Sequence, residues 1–453
     1  MTNDLNCLTA ISPIDGRYAD TTKPLQNYFS EYAYLKTCVE IELKYLVFLS
    51  QLNICRSLTE KEKIFIERVY SDFTVENADE LKKKGAPDGL RIHDLKSVEY
   101  YLKRVFQSSS LTNLTNWIHF GITSCDIIDN AYRLMISRAL KKVILPELEN
   151  LVSQINRLAK ENLELPMLGR THGQPAVPTT FGKEMAIFST RINKELNNLG
   201  NTKLYGKFGG AVGNWNALKF AFPNKDWPAI STKFIKTLGL NRSKVTTQIA
   251  PPEDIIAIFQ SLLRINNILI DFNQDIWRYI SDDWIVQKGK EKDVGSSTMP
   301  QKVNPIEFEN SEGNLVIANG LFETFVRKLP ISRLQRDLSD STVLRNIGVV
   351  FAHSLIAYKS CLKGIQTISP NKEKILEDLN EDWSILSEAL QTILRMEGKT
   401  DAYECVAAQI RGKKLSRNDW LKMINSLDIS KQSKNKLKIL TPENYTGITL
   451  NKW

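Results

Sequence analysis

Residues 254–280 read DIIAIFQSLLRINNILIDFNQDIWRYI. Within them Ile255, Phe259, Leu262, Leu269, Phe272, Ile276 and Tyr279 recur at intervals of three, four and seven, which places them on one face of a helix. Ile258, Leu263 and Ile270 widen that face. At about 1.5 Å of rise per residue the segment spans roughly 40 Å, more than the width of a small domain. A helix of that length with so broad an apolar face needs partners along its whole run, so the segment predicts a bundle of long helices, within the chain and between chains.

The surrounding sequence extends that reading. After Ile144, the residues Leu148, Leu151, Ile155 and Leu158 form another helical stripe. Helix formers continue over about 180–199, a long helix is expected after "NPIEFE", and another over about 341–366. Small polar residues and a proline interrupt the pattern near 110, at "QSSSLTN", and near 366, at "TISPNKE". Three regions follow: a mixed or helical N-terminal domain over 1–110, a central long-helix bundle over 111–365, and a helical C-terminal domain over 366–453.

With 453 residues, 42% hydrophobic and 25% charged, the composition is that of an ordinary globular protein. No uninterrupted apolar run reaches the ~18 residues of a membrane span, and the first residues lack a secretory pattern, so a cytoplasmic protein with no membrane partner is expected. Six scattered cysteines (Cys7, Cys38, Cys55, Cys125, Cys361, Cys405) form no CxxC pair and do not cluster with histidine. They read as reduced thiols, and no metal site is expected. The net charge of +9 raises the question of nucleic acid. In the lysine-rich stretch 411–440, however, the basic residues alternate with Leu415, Trp420, Leu421, Ile424, Leu427 and Ile429 at helical spacing, which describes amphipathic helices with solvated faces. A small polyanionic substrate fits the charge better than nucleic acid.

Chemistry gathers at breaks in the helical pattern. In "GSSTMPQKVNP", residues 295–305, Asn304 suits an N-cap, Pro305 the first helical position and Glu307 a capping box. Free amides and Lys302 at that helix start would receive a carboxylate or phosphate, and the hydroxyls of Ser296 or Ser297 beside them could remove a carbon-bound proton. A capped surface loop is the plainer alternative. Upstream, "QKGKEKDVGSST" (287–298) carries two glycines and a charge run, as expected of a lid that orders over substrate. Of the four histidines, His93, His119 and His172 lie in polar or small-residue contexts, while His353 sits in an apolar helical run and reads as core. Each taken singly suits a structural role. His172 differs because Arg170, Gly173, Pro175 and Pro178 build a rigid non-helical turn around it, between two helices, where a titratable group could exchange protons.

These motifs together resemble a known family. "GSSTMPQKVNP" is similar to the signature loop of the fumarase/aspartase superfamily, and "IHFG" with "TSCD", and "RTHGQPAVPTTFGKE", are similar to its two companion segments. More narrowly, "ISPIDGRY", "HDLKSVEYYLK", "GAVGNWNA", "KVNPIEFENSEGN" and "RDLSDSTVLRN" resemble the bacterial-type adenylosuccinate lyases, from about residue 8 to about 447. The resemblance implies a mainly α, three-domain subunit with a central long-helix bundle, a homotetramer with active sites shared between subunits, and no cofactor or metal. It implies elimination of fumarate from adenylosuccinate, giving AMP, and from the succinylated imidazole carboxamide ribotide (SAICAR), giving AICAR. By the same resemblance Ser296 is the base, His172 the acid and Glu309 the residue that orients it. Thr123, Ser124 and Gln248 would hold the succinyl part, with Ser297, Lys302 and Asn304 donating to its developing charge. Arg17, Tyr18, Arg336, Ser341 and Arg345 would face the nucleotide and its phosphate, with Ile92, His93 and Asp94 nearby, and Val303, Asn310, Thr342, Val343 and Leu344 would complete the lining.

Three positions depart from the family pattern. Gln301 stands where these lyases usually carry histidine, although argininosuccinate lyases have glutamine there. In "TTQIAPPED", Ala250, Pro251 and Pro252 replace a usual Glu-Pro-His stretch beside Gln248. Cys125 occupies a position that varies among relatives and reads as neutral, although a thiol so near the site could make the protein sensitive to alkylation. The first two departures motivate an alternative, a sister lyase acting on another succinyl adduct such as argininosuccinate. A non-catalytic scaffold is the third reading, opposed by the joint presence of Ser296, His172, Lys302 and Glu309.

Overall fold

A computed structural model describes residues 6–84, 94–288, 299 and 302–448. Helices dominate, and the described strands form only three two-stranded ladders. The chain divides into two compact units, one of residues 1–148, 195–267 and 314–357, the other of 149–194, 268–313 and 358–453.

The first unit is built on the helix Glu31–Gln51, started by Ser30, whose hydroxyl accepts the Ala33 N–H at 3.1 Å. Leu35, Val39, Leu43 and Leu46 on this helix are almost fully buried and share one apolar cluster with Ile127, Ala131 and Leu134 of the helix Ser124–Ala139. Aromatic packing closes the cluster: the Phe234 ring lies 5.4 Å from Tyr45 and from Phe48, and 5.0 Å from Phe208. In the described part of the N-terminal region every regular element is a helix. Within the same unit the start of Glu253–Ser281 packs against parts of Ile306–Lys328 and Ile347–Gln366, with Phe259 5.4 Å from Phe322, 5.2 Å from Phe325 and 6.3 Å from Phe351. His353 is buried there with Nδ1 2.9 Å from the Asn314 side-chain oxygen, as its apolar context predicts, and burial holds its imidazole below the ordinary range.

In the second unit the later turns of Glu253–Ser281 pack Phe272 at 5.3 Å from Phe188 and 6.4 Å from Phe308, while the Asn273 amide donates to Ser311 at 2.9 Å. The 29-residue helix Glu253–Ser281 is therefore real along its whole predicted length. By length and composition it could cross a membrane, but Ile255, Phe259, Leu262, Leu269, Phe272 and Ile276 are buried in the protein, as in a core helix.

The other expected helices are present with local changes. Leu148, Leu151, Ile155 and Leu158 are all buried on Leu145–Glu161, which continues from Ser124–Ala139 through a π-helical stretch at Leu140–Ile144. The helix expected at 341–366 is two, Ser339–Leu344 and Ile347–Gln366. The helix after "NPIEFE" begins at Ile306, one residue later than Pro305; the Pro305 carbonyl accepts from Phe308 N–H at 3.1 Å and Glu309 N–H at 3.2 Å. In the C-terminal helices Arg417–Ser426 and Lys431–Lys438, Trp420 and Ile424 are buried while Lys422, Lys431, Lys436 and Lys438 are exposed, so the positive charge there is a solvated face.

Candidate active site

Two clusters carry the expected site residues, one in each unit. In the first, the chain enters Ser124–Ala139 through an extended Thr123, whose N–H donates to Asp126 Oδ2 at 2.9 Å. This turns the half-buried Thr123 and Ser124 towards the end of the helix where amides are free. Gln248 lies beside that end, its Oε1 4.0 Å from the sulfur of Cys125. Its amide nitrogen donates to the Ala211 carbonyl at 3.0 Å, and its main-chain N–H to that of Gln335 at 3.3 Å. Arg336 joins them, donating from Nη1 to Gln248 Oε1 at 3.4 Å and from Nη2 to Ser341 Oγ at 3.2 Å. Its Nε is buried with no partner among the described residues. A buried guanidinium donor left unpaired is costly, and an anion would relieve that cost.

A cavity of about 420 Å³ in the same unit is lined by Asp94, Ser341, Leu344 and Arg345 together with Tyr34 and Tyr132. Arg345 lies 3.9 Å from the Asp94 carboxylate, which also has Lys82 at 3.8 Å. Burial pushes both tyrosine phenols well up, so they face the cavity neutral. Thr342 is exposed and Val343 half-buried on the short helix Ser339–Leu344. Arg17, exposed, and Tyr18, half-buried, are not part of this lining.

The second cluster centres on a β-hairpin, Pro166–Thr171 paired with Gln174–Thr180. Its two-residue loop is His172–Gly173, and both adopt positive φ, 54° and 73°. Such loops match the right-handed twist of the strands, and glycine in the second place removes the steric cost there. The rigid turn read from the prolines is this hairpin. His172 stands exposed at its tip with no hydrogen bond among the described residues. Below it the Arg170 guanidinium stacks 5.5 Å from the Trp284 ring. In the same unit, at the start of Ile306–Lys328, Glu309 accepts the Trp277 indole N–H at 3.1 Å instead of meeting His172. Asn310 donates to Ser360 at 2.9 Å, the Val303 carbonyl accepts from Gln287 at 3.1 Å, and Lys302 is exposed beside a half-buried Asn304. Ile92, His93, Ser296, Ser297 and Gln301 lie outside the described residues, as does nearly all of the expected lid at 287–298.

Several groups escape sequence reasoning. Asp126 and Lys207 form an ion pair at 2.8 Å with both side chains fully buried, and Asp129 is buried one turn further along the helix. Burial pushes the Asp129 carboxyl up to about 6 against the opposing pull of Arg133. The fourth residue of "TSCD" hinted at Asp126, because an acid there reaches back to the helix start; nothing in the sequence marks Lys207 as its partner. His119 keeps a structural role: its Nδ1 lies 2.5 Å from Glu42, and although burial lowers the imidazole pKa, the charge and hydrogen bond of Glu42, together with the charges of Glu99 and Asp126, raise it on balance. The alkylation sensitivity considered for Cys125 is corrected. Its side chain is buried, and desolvation pushes the thiol up to about 12, away from the reactive thiolate.

Among known proteins, a family model described as Lyase matches residues 16–320, and one described as Adenylosuccinate lyase C-terminal matches 332–446. The adenylosuccinate lyase of Buchnera aphidicola subsp. Baizongia pistaciae is 44% identical over 98% of this chain and 96% of its own length. That of Legionella pneumophila strain Corby is 44% identical, and that of Escherichia coli K12 40%, each over 98% of both chains. Among solved structures, a fumarate lyase from Mesorhizobium sp. BNC1 superposes with a TM-score of 0.76 at 18% identity, covering 94% of this chain and 95% of that one. The 3-carboxy-cis,cis-muconate lactonizing enzyme of Pseudomonas putida does so at 0.72 and 19%, covering 94% of each chain. At such identities the likeness is one of fold, and the fold is that of the fumarase/aspartase superfamily.

Proposed function

This chain belongs to the adenylosuccinate lyase family, and on that premise we propose that it cleaves adenylosuccinate to AMP and fumarate, and SAICAR to AICAR and fumarate. The reaction is a β-elimination by a carbon–nitrogen lyase. Ser296 takes a proton from the succinyl carbon next to a carboxylate, the electron pair left behind forms the carbon–carbon double bond of fumarate, and the carbon–nitrogen bond breaks as His172 protonates the leaving nitrogen. The carbanion places extra negative charge on a carboxylate, which Ser297, Lys302 and Asn304 would stabilise as fixed donors. Thr123, Ser124 and Gln248 hold the succinyl group, while Arg336, Ser341 and Arg345 receive the phosphate.

The observation that carries this reading is the buried Arg336 Nε with no partner among the described residues, in a guanidinium already anchored by Gln248 and Ser341. A charged donor held so firmly and left open is what a bound anion completes. That His172 is exposed, with no hydrogen bond among the described residues, supports a homotetramer whose sites take the hairpin from one subunit and the 296 loop from another. The three-domain division at 110 and 365 goes with that assembly, and six unpaired cysteines suit a cytoplasmic location.

A second reading, cleavage of argininosuccinate or another succinyl adduct, rests on Gln301 and on the Ala250–Pro252 stretch. The latter carries less weight in the folded chain, where the main chain does the anchoring: the Ala250 N–H is bound by Asp129 at 2.6 Å and the Pro251 carbonyl by Arg133 at 2.8 Å. The test is the ultraviolet change when purified protein meets adenylosuccinate. AMP and fumarate should form; fumarate released only from a different adduct overturns the substrate.

A further inference from the structure

Gln248 is a flexible side chain in a loop, yet the reading above gives it a task that tolerates little displacement, about 0.5 Å for a constellation of this kind. The fold meets that need from the helix Ser124–Ala139. We propose that Asp126 and Asp129, buried carboxylates on successive turns of this helix, are positioning residues that clamp the two segments on either side of Gln248 and thereby set its amide for the succinyl carboxylate. This deepens the proposed function and rests on its assignment of Gln248.

On one side Asp126 accepts the N–H groups of Gly209 at 2.8 Å and Gly210 at 2.9 Å, and pairs with Lys207 at 2.8 Å. The lysine in turn donates to the Gly210 carbonyl at 2.7 Å, so residues 207–210 are fixed from both ends. The next carbonyl, that of Ala211, accepts the Gln248 amide at 3.0 Å. Two residues later Gly213, at φ 86°, lies so close to Thr246 that a Cβ would collide with the Thr246 carbonyl oxygen, and glycine alone lets the loop rest against the segment leading into Gln248. On the other side Asp129 accepts the Ala250 N–H at 2.6 Å. One turn further, Arg133 donates to the Pro251 carbonyl at 2.8 Å and in a two-point contact to Asp254 at 2.9 Å. Gln248 is thus bracketed at residues 246 and 250, and its amide is aimed by residue 211. Stability alone does not call for these charges, since buried ion pairs seldom exceed an apolar replacement in stability. What they provide is geometry.

The test compares three variants of the full-length assembled enzyme: Gln248→Ala, Asp129→Ala, and Asp126→Asn with Lys207→Met, a double change that leaves no unpaired charge buried. Each is read for kcat, for KM with adenylosuccinate, and for inhibition by fumarate and by AMP. Asp129→Ala should raise KM and weaken fumarate inhibition by about tenfold, the worth of one hydrogen bond, while AMP inhibition stays within about twofold and Asp129→Asn, which keeps an acceptor oxygen, recovers part of the loss. The double variant should behave in the same way. A merely structural role would lower the active fraction and leave KM and the fumarate-to-AMP ratio unmoved, and that outcome overturns the proposal provided Gln248→Ala does raise KM. If Gln248→Ala leaves KM and fumarate inhibition unchanged, the assignment of Gln248 itself is wrong. If neither aspartate variant folds, the carboxylates are structural and the proposal is overturned.

Discussion

The end of the helix Ser124–Ala139 and the tip of the hairpin at His172 both carry residues expected to touch the same substrate, and they are built in opposite ways. At the helix end the groups are interlocked: Asp126 has three main-chain N–H donors and a lysine, and Gln248 and Arg336 bond to each other. At the hairpin tip a two-residue turn holds up an exposed imidazole with no hydrogen bond among the described residues. Recognition of a fixed anionic shape gains from donors set before the ligand arrives, whereas a proton donor must stay open until its partners arrive. Among the described residues, therefore, the first kind of region is closed and the second is open.

The sharpest way to break that contrast is to remove each proton-transfer group. His172→Ala and Ser296→Ala should each lower turnover by about 10² or more with little change in substrate binding. Unfolded and refolded together, the two inactive proteins should regain activity, to at most about a quarter of wild type when each site needs one intact contributor from each of two chains. Verified mixed tetramers that stay inactive would mean that both groups come from one chain, and the hairpin would then be complete in some way its exposure does not reveal.

A smaller effect is expected on the binding side. Arg336→Ala should weaken AMP inhibition by about 1.5–3 kcal/mol, the worth of a charge-assisted hydrogen bond. Titration calorimetry with AMP checks this, and unchanged affinity would make Arg336 a structural tie between Gln248 and Ser341.

The least of the three probes how deeply the binding region is buried. Asp129 has its carboxyl raised to about 6 by desolvation, above its value in the unfolded chain, so its contribution to stability is present at low pH and is lost as pH rises through that value. Between pH 5 and pH 7 the wild type should lose about 1 kcal/mol from this group. Asp129→Asn, which cannot ionise, should gain stability relative to wild type over that interval, read from urea midpoints at the two pH values. Parallel pH dependences would mean that water reaches the carboxylate.

Much of this is legible in the sequence. The apolar spacing in 254–280 implied a single long core helix, and one is present over Glu253–Ser281, because the burial of a continuous stripe depends mainly on periodicity. The turn at His172 was readable from its glycine and prolines. Boundaries were less so. Nothing in the spacing over 341–366 marks a break, yet the chain ends one helix at Leu344 and begins another at Ile347, placing Ser341 and Arg345 on the cavity. Cys125 misled for a related reason: closeness to a motif along the chain says nothing of which way a side chain faces, and this one faces inward.

By itself the sequence determined the helical class, the long core helix, the family and the set of groups able to do the chemistry, since each is written in local spacing or in short motifs. The tertiary structure alone decided which of those groups meet. Lys207 reaches Asp126 across 81 positions of chain, Gln248 reaches Ala211 across 37 and Arg336 across 88, and no local pattern encodes such pairings. They arise because a buried charge or amide must find a partner once water is excluded, and which partner is within reach is settled only when the helices have packed.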